Sequence, residues 1–423
     1  MGMMIYKPKK KVKHYDFSRK PKRPTPILLV ATIGSSIALS KRKLNVSLDN
    51  SLKTPHLILG NHGGFNDFYM FFKVLKSWRL NFVAGINAHN DGFMFDWLLR
   101  QIGSIPKRRF VSEISLMKNM KHSLYNLKNH VLMYPEAKYS LDGSTSFIPP
   151  SLGKLVKFLK VPVSTFMLNG NYVSNPHWNP YKEKTMPMDA TLKEIITLEE
   201  IDKLSVDEIN QRIKSSLIYD DWKWLKESGN KITYKNRANN LNALLYQCPN
   251  CKTEFKMHGE GTTLTCTACD KKWEMQEDGE LVAHDGNTEF SHIPDWFKWQ
   301  KQNVHDEIVS GKYKMEANCK VFTLPYNKGF VVQKDGKLYQ DFEKTILTVN
   351  LYGEDKVIEY NGFNLENIHL EYKFKGLYDM ADFSIPGDNI WMSPIDKKDI
   401  ITKISIATEE IRDIARLKLK ESK

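Results

Sequence analysis

The sequence predicts an α/β domain with a mostly parallel sheet, then a small module built around four cysteines, then a β-rich C-terminal region that ends in a helix. Three observations carry this. Between residues 56 and 170, short continuous apolar runs alternate with amphipathic stretches, the pattern of buried parallel strands covered by helices. Four of the five cysteines fall into two Cys-x-x-Cys pairs. Beyond residue 319, short strand-like runs are punctuated by Gly, Asn and Asp turns, and the chain closes on a long helical stretch.

The elements follow in chain order. Residues 1–45 are a basic arm and a short apolar helix. They hold Lys7, Lys9, Lys10, Lys11, Lys13, Arg19, Lys20, Lys22, Arg23, Lys41, Arg42 and Lys43 against one acid, Asp16. That is +11 of the net +13, so the other 378 residues are nearly neutral and a uniformly basic nucleic-acid surface is excluded. The first 25 residues are basic and punctuated by proline, unlike a secretory signal. Residues 26–39 (PILLVATIGSSIAL) would form a helix about 21 Å long, too short for a hydrocarbon core of about 30 Å. Basic residues on both sides suit a monotopic anchor; a buried first helix of the next domain is the alternative.

Residues 46–236 are the α/β domain. Residues 56–60, 81–86, 131–134 and 161–168 read as buried strands, residues 68–78 and 112–128 as amphipathic helices, and residues 192–226 as a charged helical end. Residues 237–285 are the cysteine module. In residues 286–423 a helix over 294–310 stops at Gly311, and strands follow at 319–324, 329–333, 345–351, 356–360 and 368–374. A helix over 400–419 ends the chain. The aromatic cluster at 294–299 suits either a membrane contact or a packing seam. At 423 residues, 41% hydrophobic and 26% charged, the chain has the composition of two to four globular domains, not of a disordered, collagenous or disulfide-stapled protein.

Three blocks in the α/β domain carry chemistry. Asn61-His-Gly-Gly-Phe-Asn-Asp67 follows a strand, and His62 and Asp67 can face each other across the turn. The carboxylate would then hold the imidazole in one tautomer and stabilise its protonated form. An aspartate capping the next helix beside an unrelated histidine is the plainer reading. Gly103-Ser-Ile-Pro-Lys-Arg-Arg109 sets three cations after a turn, which suits a phosphate or a solvated basic loop. Tyr134-Pro-Glu-Ala-Lys-Tyr-Ser140 ends a strand and presents Glu136 at the carboxyl edge, where α/β folds place ligands.

In this order, followed by Val161-Pro162-Val163, the blocks resemble the glycerolipid acyltransferase family, the lysophosphatidate (1-acylglycerol-3-phosphate) acyltransferases in particular, over about residues 50–225. The family pattern Asn-His-x4-Asp is matched by Asn61, His62 and Asp67. Gly-x-Ile-x-x-x-Arg is matched by Gly103, Ile105 and Arg109, and Phe-Pro-Glu-Gly-Thr-Arg-Ser by Pro135, Glu136 and Ser140. Gly64 replaces the usual serine, and Ala137-Lys138-Tyr139 replaces Gly-Thr-Arg, leaving Lys138 as a point charge near the lost fork.

The resemblance implies an acyltransferase of phospholipid biosynthesis. His62 is the general base and Asp67 its partner. Lys107 and Arg109 bind the acceptor phosphate, Glu136 positions the acceptor, and Lys138 is a further substrate-binding residue. The acyl donor is acyl-CoA or acyl carrier protein, and the product with lysophosphatidate is phosphatidate. Membrane lipids are expected partners, and the cytoplasmic membrane face the expected location, peripherally or monotopically.

Cys248-Pro-Asn-Cys251, fourteen residues and Cys266-Thr-Ala-Cys269 have the spacing of a zinc ribbon, a closed structural site of four thiolates in a reducing compartment. Redox chemistry is the alternative for a single such pair. The intervening loop balances Lys252 and Lys256 with Glu254 and Glu260. A non-enzymatic zinc-ribbon protein that binds nucleic acid through the arm is the competing reading. It leaves the ordered blocks unexplained, so nucleic acid is not an expected partner. Cys319 reads as a buried apolar residue, and the β-rich region with its last helix resembles a pleckstrin-homology-type barrel.

Overall fold

The computed structural model describes residues 4–5, 14–38, 43–49, 52–64, 67–75, 77–111, 113–179, 186–362, 364–374, 376–385 and 388–421. Lys7, Lys9, Lys10, Lys11, Lys13, Lys41 and Arg42 of the basic arm, residue 39 of the apolar stretch, Phe65 and Asn66 of the first block, and residue 112 lie outside them. The chain divides into two compact units, Asp16–Thr233 and Tyr234–Lys423, the latter with Met1–Tyr15. The first strand, β1 (Met4–Ile5), pairs with a strand of the C-terminal unit.

In Asp16–Thr233, α1 (Pro26–Ala38) precedes β2 (Leu44–Leu48), β3 (Leu57–Gly60), α2 (Asp67–Leu75), β4 (Leu80–Gly85), α3 (Ile86–Asn90), α4 (Phe93–Gln101) and β5 (Ser104–Lys107). Then come α5 (Ile114–Lys121), β6 (His130–Met133), α6 (Leu152–Leu159), β7 (Val163–Asn169), α7 (Asn171–Ser174) and β8 (Met188–Ile196). Helices α8 (Leu198–Ile201), α9 (Val206–Ser216) and α10 (Asp221–Ser228) close the unit. The sheet order is β2-β8-β7-β3-β6-β4-β5, and only β7 and β8 pair antiparallel.

The mostly parallel sheet expected from sequence is present, and its physical reason is visible in β3. Successive side chains of a strand point to opposite faces. Leu57 and Leu59 enter one core with residues of α5, α6 and α9, and Ile58 enters the other with residues of α2 and α1. A strand buried on both faces must be apolar throughout, which is why LILG was legible. Burying each such side chain contributes roughly 1.5–3 kcal/mol. Because β3, β4, β5, β6 and β7 are parallel, all five carboxyl ends lie on one edge.

Two strands of this sheet differ from the sequence expectation. Residues 104–107 form β5, an edge position that tolerates Pro106. Residues 192–196, expected to be helical, belong to β8, whose charged side chains alternate with buried Met188, Ala190 and Leu192. The π-turn His122–Asn126 continues α5. In α1, Leu29 is fully buried and Leu28 packs on the same core, while Ile27 and Val30 are exposed. The end of the basic arm rests on the domain: Arg23 donates to Leu127 O and Lys22 O accepts from Asn81. Among the described residues, no helix is long and apolar enough to cross a membrane.

In the C-terminal unit, β9 (Met257–Glu260), β10 (Thr263–Cys266), β11 (Lys272–Met275) and β12 (Leu281–Ala283) form an antiparallel sheet, followed by α11 (Ile293–Val309). Trp296 of α11 is buried, donates to Gln247 O at 2.9 Å and packs edge-on against Trp273, a packing seam. Strands β13 (Met315–Thr323), β14 (Val331–Val332), β15 (Gly336–Gln340), β16 (Lys344–Leu351), β17 (Glu354–Asn361), β18 (His369–Phe374), β19 (Tyr378–Ile385) and β20 (Asp388–Pro394) precede α12 (Ile401–Glu421). The main path of their antiparallel sheet is β17-β16-β15-β13-β20-β19-β18. Strands β15 and β19 are absent from the sequence expectation because Lys, Gln and Asp interrupt their apolar positions, and β20 because its apolar run is only three residues, Ile390-Trp391-Met392. Cys319 is fully buried.

Candidate functional site

The site starts where β3 ends. Asn61 Oδ1 accepts from Leu168 N at 2.8 Å and its Nδ2 donates to Leu168 O at 3.0 Å, extending the pairing of β3 with β7 one step past the strand. His62 follows with its backbone held at both ends: its N–H donates to Glu136 Oε1 at 3.2 Å, and its carbonyl accepts from Ser140 N at 2.9 Å. The third block therefore fixes the backbone of the first.

The His62 Nδ1 lies 2.9 Å from Asp67 Oδ2. A carboxylate accepts, so the Nδ1 facing it carries the proton and Nε2 keeps its lone pair. Asp67 is buried at the first residue of α2. Its Oδ2 also accepts from Gly64 N at 3.0 Å, and its Oδ1 accepts from Asn171 Nδ2. The imidazole stacks on Tyr134, with ring centroids 4.2 Å apart and planes 8° apart, and meets Tyr139 at 4.4 Å. Its side chain stays 20% exposed, so a substrate can reach it. Gly60 admits the Tyr134 ring, since a Cβ there would lie 2.7 Å from Tyr134 Cε1.

Glu136 is buried, and the chain itself engages both of its oxygens. Oε1 accepts from His62 N, and Oε2 accepts from Ser146 N and Ser146 Oγ. Burial pushes its carboxyl up to about 7, partly offset by these hydrogen bonds. Lys107 points its ammonium at Arg108 O and Val111 O, at 3.1 and 2.6 Å, and burial lowers its pKa. The Arg109 guanidinium folds against Gly85, 3.7–3.8 Å from where a Cβ would stand. Lys138 is buried. The structure thus joins His62, Asp67 and Glu136 directly. Lys107 and Arg109 stand at the end of β5 on the same edge, with β6 and β4 between.

Sequence reasoning missed Asn171, Ser146 and Asp221. Asp221 is buried in α10. Its Oδ2 accepts from Gly170 N and Tyr172 N at 3.1 and 2.9 Å, and its Oδ1 accepts from Asn169 Nδ2 at 3.3 Å, clamping the turn that carries Asn171. Burial raises its carboxyl to about 7, and those donors oppose the rise. None of the three sits in a motif. Only the apolar run of β7 pointed toward this turn.

The four cysteines converge on two equivalent knuckles. Lys252 N donates to Cys248 O at 2.9 Å and Asp270 N to Cys266 O at 2.8 Å, and Lys252 and Asp270 both adopt positive φ, 64° and 58°. The sulfurs of Cys248 and Cys269 lie 3.8 Å apart, those of Cys251 and Cys266 3.7 Å, and all four fall within 4.8 Å. A tetrahedron of thiolates with metal–sulfur bonds of about 2.3 Å has edges of about 3.8 Å. The group can therefore hold a metal ion with little rearrangement.

Residues 43–169 match the family model described as Acyltransferase. This span contains all four sequence blocks and stops two residues before Asn171. No curated protein matches the chain. Among solved structures, the chain is similar to the 1-acyl-sn-glycerophosphate acyltransferase of Thermotoga maritima. Identity is 13% over 45% of this chain and 75% of that one, with a TM-score of 0.35.

Two outcomes are expected. A buried carboxyl with a raised pKa stabilises the fold fully below its unfolded value, near 4.5 for Glu136, and that contribution is lost as the pH rises through about 7. Urea midpoints of the parent should therefore fall between pH 5 and 8 more steeply than those of Glu136→Gln; parallel slopes contradict this. Elemental analysis should return one tetrahedrally held metal ion per chain. Stripping it should lower thermal stability sharply, since such sites contribute on the order of 10 kcal/mol. A metal-free protein of unchanged stability contradicts the site.

Proposed function

On the premise that residues 43–169 are an acyltransferase domain, we propose that the protein is a membrane-surface O-acyltransferase. It moves a fatty acyl chain from a thioester, acyl-CoA or acyl carrier protein, to the free hydroxyl of lysophosphatidate or a related lysophospholipid, giving phosphatidate in the first case. The observation that carries this is the His62–Asp67 pair at the carboxyl edge, with Nδ1 engaged and Nε2 carrying the lone pair.

His62 Nε2 takes the hydroxyl proton as the acceptor oxygen attacks the thioester carbonyl. The tetrahedral intermediate collapses, the C–S bond breaks, and the imidazolium returns its proton to the departing thiolate. Asp67 keeps the ring oriented throughout. Glu136 acts by holding the His62 backbone, and Arg109 at the end of β5 supports a reading in which it forks onto the acceptor phosphate. The metal of the four-cysteine module is read as zinc in a structural role: four sulfurs leave no position open for substrate.

The membrane-surface reading is supported by exposed apolar side chains. Ile27 of α1 is 80% exposed, and Phe93 and Met94 at the start of α4 are 69% and 82% exposed, with Trp97 nearby. Helix α4 leads back from the carboxyl edge, so its apolar tip stands on the side of the sheet that carries His62. Cysteines spent on a thiolate site suit the reducing cytoplasmic face.

His62→Ala should lower kcat about 10²–10⁴-fold with lysophosphatidate and an acyl thioester while the protein stays folded; near-normal turnover by a folded variant overturns the reading. In liposome flotation, replacing Phe93, Met94 and Trp97 together by Ser should weaken binding to anionic vesicles. Undiminished binding would remove α4 from the membrane contact.

A further inference from the structure

We infer that Asn171 is a positioning residue, the third member of a His62–Asp67–Asn171 chain that fixes the direction of the catalytic base. The inference rests on the acyltransfer reading for its chemistry and on hydrogen-bond geometry for its structure. Asp67 is almost wholly buried, and a buried carboxylate is tolerated only when its lone pairs are engaged. Oδ2 serves His62 Nδ1 and Gly64 N, and Oδ1 is served by Asn171 Nδ2. An amide at this place can donate without carrying charge, so it holds the carboxylate plane without competing with the imidazole for it. Asn171 is itself buried. It stands at the first residue of α7, in a turn whose backbone N–H groups at Gly170 and Tyr172 are clamped by Asp221. Position 171 is thus held from α10 independently of the His62 loop, as a fixed support requires.

With the donor removed, Asp67 can rotate about its side-chain bonds and His62 loses its single orientation. Outer partners that orient metal-bound imidazoles are typically worth about 10–100-fold in activity, and a loss of that order is expected for this free imidazole. Substrate binding does not use Asn171, so the loss belongs in kcat.

The experiment compares the parent with Asn171→Ser and the near-isosteric Asn171→Asp. Asn171→Ser should lower kcat about 10–100-fold with KM for lysophosphatidate unchanged. Asn171→Asp places two carboxyls together, so one must hold a proton to donate to the other. Its activity should fall on the alkaline side, where the parent stays active. Among the described residues, the charged and titratable groups facing the pair and its imidazole include His62, Glu136, Tyr134, Tyr139 and Asp221. All are present in both proteins, so the new limb belongs to position 171. A second readout needs no turnover: ¹⁵N spectra of the His62 ring should show Nδ1–H alone in the parent and a tautomer mixture in Asn171→Ser. Identical ring spectra in the two folded proteins overturn the inference whatever the activity. A parent that transfers no acyl group overturns the acyltransfer reading and leaves the spectra to decide the role of Asn171.

Discussion

The arrangement at the carboxyl edge depends on a buried negative group, the Asp67 carboxylate. Taking a carboxylate out of water costs several kcal/mol unless it is engaged on all sides. Three donors meet it: the His62 imidazole, the Gly64 amide and the Asn171 side chain. The first two come from the loop after β3 and the third from the turn after β7, so the site forms only when these strands are in register. β3 delivers His62, β7 delivers Asn171, and the loop after β6 returns Glu136 and Ser140 to clamp the His62 backbone. The parallel sheet is therefore the condition for the chemistry, because it puts these ends on one edge.

Much of this was legible in the sequence, for identifiable reasons. Strand β3 is apolar throughout and β6 and β7 are largely so, because both faces are covered, and the four-cysteine site announces itself by spacing. Strand β5 was hidden by Pro106 and the cations that follow it, and β8 by charges on its exposed positions. The His62–Asp67 pair is legible because its members stand only five positions apart in the sequence. Asn171 is not, because 104 residues separate it from Asp67 and a lone asparagine after a strand carries no signal. Glu136 lies just past β6, and its oxygens hold the chain itself, a role that spacing cannot distinguish from contact with a substrate.

The cysteine module is tied into its own unit by a partly buried ion network centred on the buried Lys403. Lys403 of α12 reaches Glu254 of the module and Glu307 of α11, each at 2.8 Å. Gln300 of α11 accepts from Gln247 N beside Cys248 and donates to Leu244 O. Removing one partner of such a network leaves a buried charge uncompensated, which costs more than the pair contributes. The metal site, α11 and α12 should therefore lose order together when the thiolates are released.

In the proposed reaction His62 drives direct attack of an acceptor hydroxyl on a thioester, with no acyl group carried by the protein. The most direct measurement is a single-turnover reaction with acyl thioester in the presence and absence of lysophosphatidate, following thiol release and the mass of the intact protein. Direct transfer gives thiol release only with acceptor, one phosphatidate per thiol, and no mass gain. A burst of thiol without acceptor together with an acyl adduct on the chain would contradict it.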